Sequence, residues 1–289
     1  MEFFKTLFLP ITVPMKFIQA HFKAMVFLLI LFLIFAPQGE HELNSNNLQE
    51  INLAGPIMDA SEIVKEIDEA ADNDNIKGVL LNVDSPGGAV APSIEIAYAI
   101  KRLQAKKPII AYARGTMASG SYYASIWASE IMANPGSMIG SIGVIMEGAD
   151  LSEVMSKIGI KSQIVQAGRY KQIGTQNRPW KKYEVNELNK VIQGTYDMFT
   201  ADVADARKLD ITKRDLFANA HIFTSKQALA VHLIDKIGVT YDAKKRVEKL
   251  SGVEEAQWNE EDKFDKLMKK LSATTAVTLH TYFPSLVLR

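Results

Sequence analysis

Hydrophobic positions change their spacing several times along this chain, and each change predicts an element. From Gly78 to Val83 the run GVLLNV is apolar almost throughout, the pattern of a strand buried on both faces, and PIIAYA at Pro108 to Ala113 reads the same way. Between them IEIAYAIKRL places its apolar residues at helical intervals. Short strands alternating with helical stretches predict an α/β fold with crossover connections. After the second strand, RGTMA reads as a turn and GSYYASIWA as the opening of a helix. Farther on, Val185 to Leu209 carries apolar residues at helical spacing, and SKQALAVHLIDKIG predicts another helix with Gly238 as its C-cap.

The densest apolar run lies near the N-terminus. AMVFLLILFLIFA, from Ala24 to Ala36, has no polar side-chain atom. At about 1.5 Å per residue it rises roughly 20 Å, short of a hydrocarbon core of roughly 30 Å, so a span must borrow residues back to Ile18 and let Lys23 snorkel. A signal-peptide core is the rival reading, but no small-residue cleavage pattern follows and Pro37 sits where one is needed. The expectation is a retained anchor over 18–37. Lys5, Lys16 and Lys23 precede the run and Glu40 and Glu42 follow it, which places the N-terminus in the cytoplasm and the remainder on the extracytoplasmic side. Residues 1–17, apolar but broken by Pro10 and Pro14, suit the membrane interface. Residues 38–47 read as a polar linker, 48–250 as one folded domain and 251–289 as a loosely attached tail.

Charge and composition narrow the chemistry. The 289 residues hold 33 basic and 33 acidic side chains, so no electrostatic footprint for nucleic acid is present. There is no cysteine, which excludes disulfides, thiolate metal sites and a cysteine nucleophile together. No motif for a metal or a cofactor is found.

Three local motifs admit a chemical reading. DSPGG, Asp84 to Gly88, follows a strand and precedes a helix, so its glycines can aim backbone N–H groups at a ligand; an ordinary strand-to-helix turn reads equally well. Ser119 stands where a helix begins. It is either an N-cap or a nucleophile with the Gly120 N–H beside it, although the first glycine of G-x-S-x-G is replaced by Met117. A nucleophilic serine needs a base. Of five histidines, His21, His41 and His280 lie outside the predicted domain; His221 and His232 lie inside it, in apolar contexts typical of structural histidines. A lysine with a lowered pKa is the other candidate, and Lys171 in QAGRYKQIGT is available, though most lysines are simply solvated.

Taken together, SPGG, MASGSYYAS, GSIGVI (Gly140 to Ile145) and AGRYKQIG resemble, in order and wording, the bacterial signal peptide peptidase A family of membrane-anchored Ser-Lys proteases. The resemblance runs from about Leu48 to Gly238. It implies Ser119 as nucleophile, Lys171 as general base, Ser141 as the residue that orients the lysine, and the N–H groups of Gly88 and Gly120 as the oxyanion hole. It also implies the Clp protease and crotonase fold, a spiral of ββα units, with peptides left by signal cleavage as substrates, a membrane location and no cofactor. Long members split serine and lysine between tandem domains. A one-domain chain is therefore expected to assemble into a homo-oligomeric ring with shared active sites. Ser121 stands where many relatives have glycine, a change expected at the mouth of the substrate pocket. Rival readings are a related Ser-Lys protease acting on membrane or misfolded proteins, a crotonase-type acyl-CoA enzyme and an inactive scaffold.

Overall fold

The centre of the molecule is a sheet whose strands lie mostly parallel, because crossover helices return the chain to the same end each time. The computed structural model describes residues 21–27 and 46–259. The chain divides into two units, residues 1–45 and 46–289. In the first, 21–27 are helical. No helix among the described residues is long and apolar enough to cross a membrane. Most of the anchor expected over 18–37 lies outside the described residues, as do 1–17, 38–45 and 260–289.

In the second unit β1 (Leu48–Ala54), α1 (Ser61–Asp72), β2 (Gly78–Ser85), α2 (Val90–Gln104) and β3 (Ile109–Ala118) follow in order. β2 pairs in parallel with β1 on one side and β3 on the other. Its near-continuous apolar run is explained by burial on both faces. Val79, Leu81 and Val83 belong to the larger core with α1 and α2, whereas Leu80 joins Leu48, Ile110 and Tyr112 in a smaller one. That second layer is closed by Ala243 and Val247 of a late helix, Thr240–Ser251.

After α3 (Gly120–Ser125) come β4 (Glu130–Ala133) and β5 (Met138–Gly140). β3 serves both. Its first half pairs with β4 over Ile110–Ala113 and its second half with β5 over Thr116–Ala118. RGTMA is therefore strand, not turn. The register against β2 shifts between Val83 and Ser85, and the carboxylate of Asp84 accepts the Thr116 N–H at 3.0 Å, replacing the interrupted ladder bond.

The remaining elements are α4 (Ser152–Lys157), the long α5 (Lys182–Arg207), a 3₁₀ turn (Ile211–Leu216), β6 (Ile222–Thr224), α6 (Ser225–Ala230), β7 (Lys236–Ile237), α7 (Thr240–Ser251) and β8 (Trp258–Asn259). Two expectations are corrected here. The helix from Ser225 stops at Ala230; the chain turns at His232, with φ +60°, buries Leu233 and Ile234, and pairs Lys236–Ile237 with β4, so Gly238 caps no helix. Part of the stretch read as a tail belongs to the sheet, since Trp258–Asn259 pair with β1. Only β5 and β6 run antiparallel among the paired strands described.

Candidate active site

Both glycine-bearing turns singled out in the sequence meet at one end of β2 and β3. Gly88 forms a bridge with Ile57: the Ile57 N–H donates to the Gly87 carbonyl at 2.9 Å and the Ala89 N–H to the Ile57 carbonyl at 2.7 Å. These bonds use the groups on either side and leave the Gly88 N–H without a backbone acceptor among the described residues. Gly120 opens α3, so its N–H has no acceptor one turn back. A side chain at Gly120 would run into the Ser93 hydroxyl, and its Cβ would stand 3.2 Å from the Gly88 nitrogen. Two free donors thus lie side by side at a helix N-terminus.

Ser119 holds the N-cap position of α3, yet its side chain makes no capping hydrogen bond. Its backbone is at φ +53°, ψ −124°, a conformation costly for any residue with a Cβ. The strain is fixed by its own N–H, which donates to the Gly140 carbonyl at 2.8 Å, and by its carbonyl, which accepts from Tyr123 at 3.0 Å. The hydroxyl is left free. Of the two roles open in the sequence, capping is removed.

Ser141 follows the same β5 end. It also has a positive φ, +49°, and its N–H donates to the His221 carbonyl at 2.7 Å. Ser119, Ser141, Gly88 and Gly120 line one cavity of about 290 Å³. Its other walls are mostly apolar, Val90 and Ile94 from α2, Tyr123, Val144 and Ile145, and Met198 and Phe199 from α5, with the hydroxyls of Ser93 and Thr195 among them. Tyr123 and Phe199 meet edge to face, with ring centroids 5.0 Å apart.

Among the described residues no histidine, lysine or carboxylate lines this cavity. The Tyr123 phenol is no substitute. Burial, then its hydrogen bond to the Asp202 carboxylate, push its pKa above the ordinary phenol range, so it stays protonated. His221 contributes a carbonyl to Ser141 while its ring is exposed beside Phe223, and the His232 carbonyl accepts from Arg207 at 3.2 Å. Lys171 lies elsewhere, exposed in a turn between Gly168 and Gly174. That turn is fastened to the start of α5. Tyr170 packs on Tyr183 at 5.5 Å, the Tyr183 hydroxyl donates to the Arg169 carbonyl, and Arg178 joins Gln172 to the enclosed Glu184 carboxylate.

Ser121 is where the sequence reading needs correction. It does not line the cavity. Its side chain is wholly buried, because the hydroxyl turns inward to the ends of β2 and β3. What sequence reasoning missed is the wall from α5. Met198 and Phe199 carry the same helical periodicity as core residues, and only the packing of α5 over α3 distinguishes a cavity wall from the interior.

Over residues 101–254 the sequence matches the model of "Peptidase family S49", a region that includes Ser119, Ser141 and Lys171. A candidate protease of Methanocaldococcus jannaschii is 39% identical over 68% of this chain and 63% of its own length. A candidate signal peptide peptidase of Enterococcus faecium is 36% identical over 58% of this chain and 49% of its own. The chain thus spans less than two thirds of these curated relatives. Among solved structures, a mutant ClpP1 of Listeria monocytogenes superposes with a TM-score of 0.48 at 14% identity, covering 70% of this chain and 96% of that one. With more than half of its length matched by the family model, the chain belongs to peptidase family S49.

Proposed function

We propose that the chain is a serine endopeptidase that hydrolyses peptides through an acyl-enzyme, with Ser119 as nucleophile and Lys171 as general base. The observation that carries this reading is the Ser119 hydroxyl, held by a strained backbone in a partly apolar cavity, free of any cap bond and flanked by the unpaired N–H groups of Gly88 and Gly120. In the reaction neutral Lys171 removes the hydroxyl proton and the alkoxide attacks the peptide carbonyl. The two N–H groups bind the developing oxyanion. The amine leaves with a proton from the lysine, and water then cleaves the ester by the same relay. Ser141 orients the lysine. The apolar walls suit small or apolar side chains at the cleaved position.

Among the described residues the cavity contains no base, while Lys171 is presented outward on an anchored turn. These facts support a lysine supplied by a neighbouring copy. Exposed Ile145, Val154, Ile158, Ile160 and Val165 mark the surface such a copy would cover. Contacts of this head-to-tail kind close into a ring when the rotation permits. The family likeness supports the finer parts: the Clp and crotonase spiral of ββα units, an N-terminal anchor in the bacterial inner membrane with the peptidase outside the cytoplasm, and residual signal peptides as substrates.

Co-expression tests the shared site. Ser119→Ala and Lys171→Ala chains, each inactive alone, regain cleavage when mixed, because some interfaces then join an intact serine to an intact lysine. Mixed assemblies confirmed by mass that still fail to cleave would reject the shared site. Fluorophosphonate labelling of the wild type, mapped to the modified residue, tests the nucleophile itself; an adduct anywhere but Ser119 removes it from the mechanism.

A further inference from the structure

The buried Ser121 hydroxyl touches two loops that the proposed chemistry needs held at a set distance. It accepts the Ala118 N–H at 2.9 Å, at the end of β3 just before Ser119. Its single proton has two carbonyls in reach, Ser85 at 2.7 Å and Ala118 at 2.9 Å, of which the first is the closer. Ser85 ends β2 and leads through Pro86 and Gly87 to Gly88. One hydroxyl therefore ties the strand carrying one free N–H to the strand and helix carrying the other.

Little else performs this task. The β2–β3 register shifts between Val83 and Ser85, and beyond the shift only the pair Ser85–Met117 remains, so the ladder is down to one pair where the two loops diverge. On its far side the Gly88 loop is held by the bridge to Ile57; among the described residues the one side-chain hydrogen bond to the main chain at positions 86–88 is that of the local Ser85 hydroxyl, which accepts the Gly87 N–H at 3.2 Å. Ser121 is itself anchored, since its carbonyl accepts the Ser125 hydroxyl at 2.8 Å. An oxyanion needs both donors within about 2.7–3.1 Å, so an error of a few tenths of an ångström in their separation weakens one of them.

We propose that Ser121 is a positioning residue that sets the spacing of the Gly88 and Gly120 donors, in place of the specificity role its sequence position suggested. The inference rests on the reading of Ser119 as nucleophile and deepens it. Ser121 touches no substrate; it acts through the Ser85 and Ala118 main chain.

The test compares Ser121→Ala with the wild type and Ser119→Ala in the full chain. Removing the hydroxyl lowers kcat about tenfold, a fraction of the roughly hundredfold that a 1 Å misplacement costs, while KM stays within twofold. The affinity for a peptide aldehyde, whose serine adduct carries an oxyanion, falls by a similar factor; that for an unreactive peptide of the same sequence does not. An alanine variant with wild-type kcat and aldehyde affinity overturns the proposal. So does one whose kcat loss equals its loss of active sites titrated by fluorophosphonate, which is a folding effect. Should the alanine chain not fold, Ser121→Cys, nearly isosteric with a weak donor, is measured by the same criteria. A Ser119→Ala chain that still cleaves would sink the underlying reading as well, whereas an inactive one beside an unaffected Ser121→Ala would sink this inference alone.

Discussion

Adding one methyl group at Gly88 tests whether the geometry of its N–H matters to turnover. A Cβ at this position would stand 2.6 Å from both the carbonyl carbon and the nitrogen of Ile57, and closer still to the carbonyl oxygen. Ordinary contact begins near 3.4 Å and the Ile57 oxygen would stand at 2.1 Å, so the backbones must separate by about 1.3 Å. Ile57 cannot withdraw without stretching its bonds to Gly87 and Ala89, so the displacement falls on the loop that carries the donor. A shift of that size should lower kcat of Gly88→Ala about a hundredfold, about 3 kcal/mol in the barrier, with KM changed by no more than a few-fold. Peptide hydrolysis measured on active-site-titrated enzyme gives both constants. Gly55→Ala is the control: φ there is +70° with open space around it, so the variant loses about 1 kcal/mol of stability to backbone strain and no turnover per folded chain. A folded Gly88→Ala enzyme within threefold of wild-type kcat would refute the reasoning.

Ser119→Gly should be inactive and yet more stable than the wild type, by about 1 kcal/mol or 2–4 °C in thermal unfolding, because glycine accepts φ +53° and no cap bond is lost. Lys171→Arg should leave the fold intact and abolish cleavage, since arginine does not give up its proton; activity lost instead in His221→Ala or His232→Ala would move the base to histidine. The Arg178 guanidinium, with the Lys181 N–H, holds the Glu184 carboxyl down at about 2. Its stabilising effect is therefore complete above the unfolded carboxylate value near 4.3 and is lost as pH falls toward 2, so the stability difference between wild type and Glu184→Gln should shrink over that interval in thermal melts.

Those elements whose burial is uniform were readable from the pattern of the chain. β2 and the first half of β3 are buried on both faces and show it as unbroken apolar runs, while α2 and α5 show one buried stripe each. The second half of β3 was misread because Arg114, Gly115 and Thr116 are polar or small, and their strand state depends on a tertiary partner, β5, together with the Asp84 carboxylate. The helix from Ser225 was overextended because Leu233 and Ile234 sit at helical spacing but are buried from a turn. In the site, the glycine turns and Ser119 were visible locally. That Ser119 caps nothing was not, since capping depends on a backbone angle which no residue type announces. Ser121 was assigned to the pocket mouth by its position; the direction of its side chain follows from the positive φ two residues earlier and from the carbonyl left open at Ser85.

The division of β3 between two partners has a bearing on how such a chain can diverge. Its first half is locked between β2 and β4 in the interior, and its second half, clamped by β5, ends on Ala118, so the Ser119 hydroxyl hangs directly from the end of a strand paired on both sides. Apart from Tyr123 of α3, the cavity walls come from other segments: Val90 and Ile94 of α2, residues 143–145, and Met198 and Phe199 of α5. On the proposed function, drift in those segments can retune which peptides are accepted while the Ser119 hydroxyl keeps its place, whereas inserting or deleting a residue between Arg114 and Ala118 shifts the strand register and displaces the hydroxyl at once. On that function, substrate preference and chemical competence are heritable on largely separate stretches of one polypeptide.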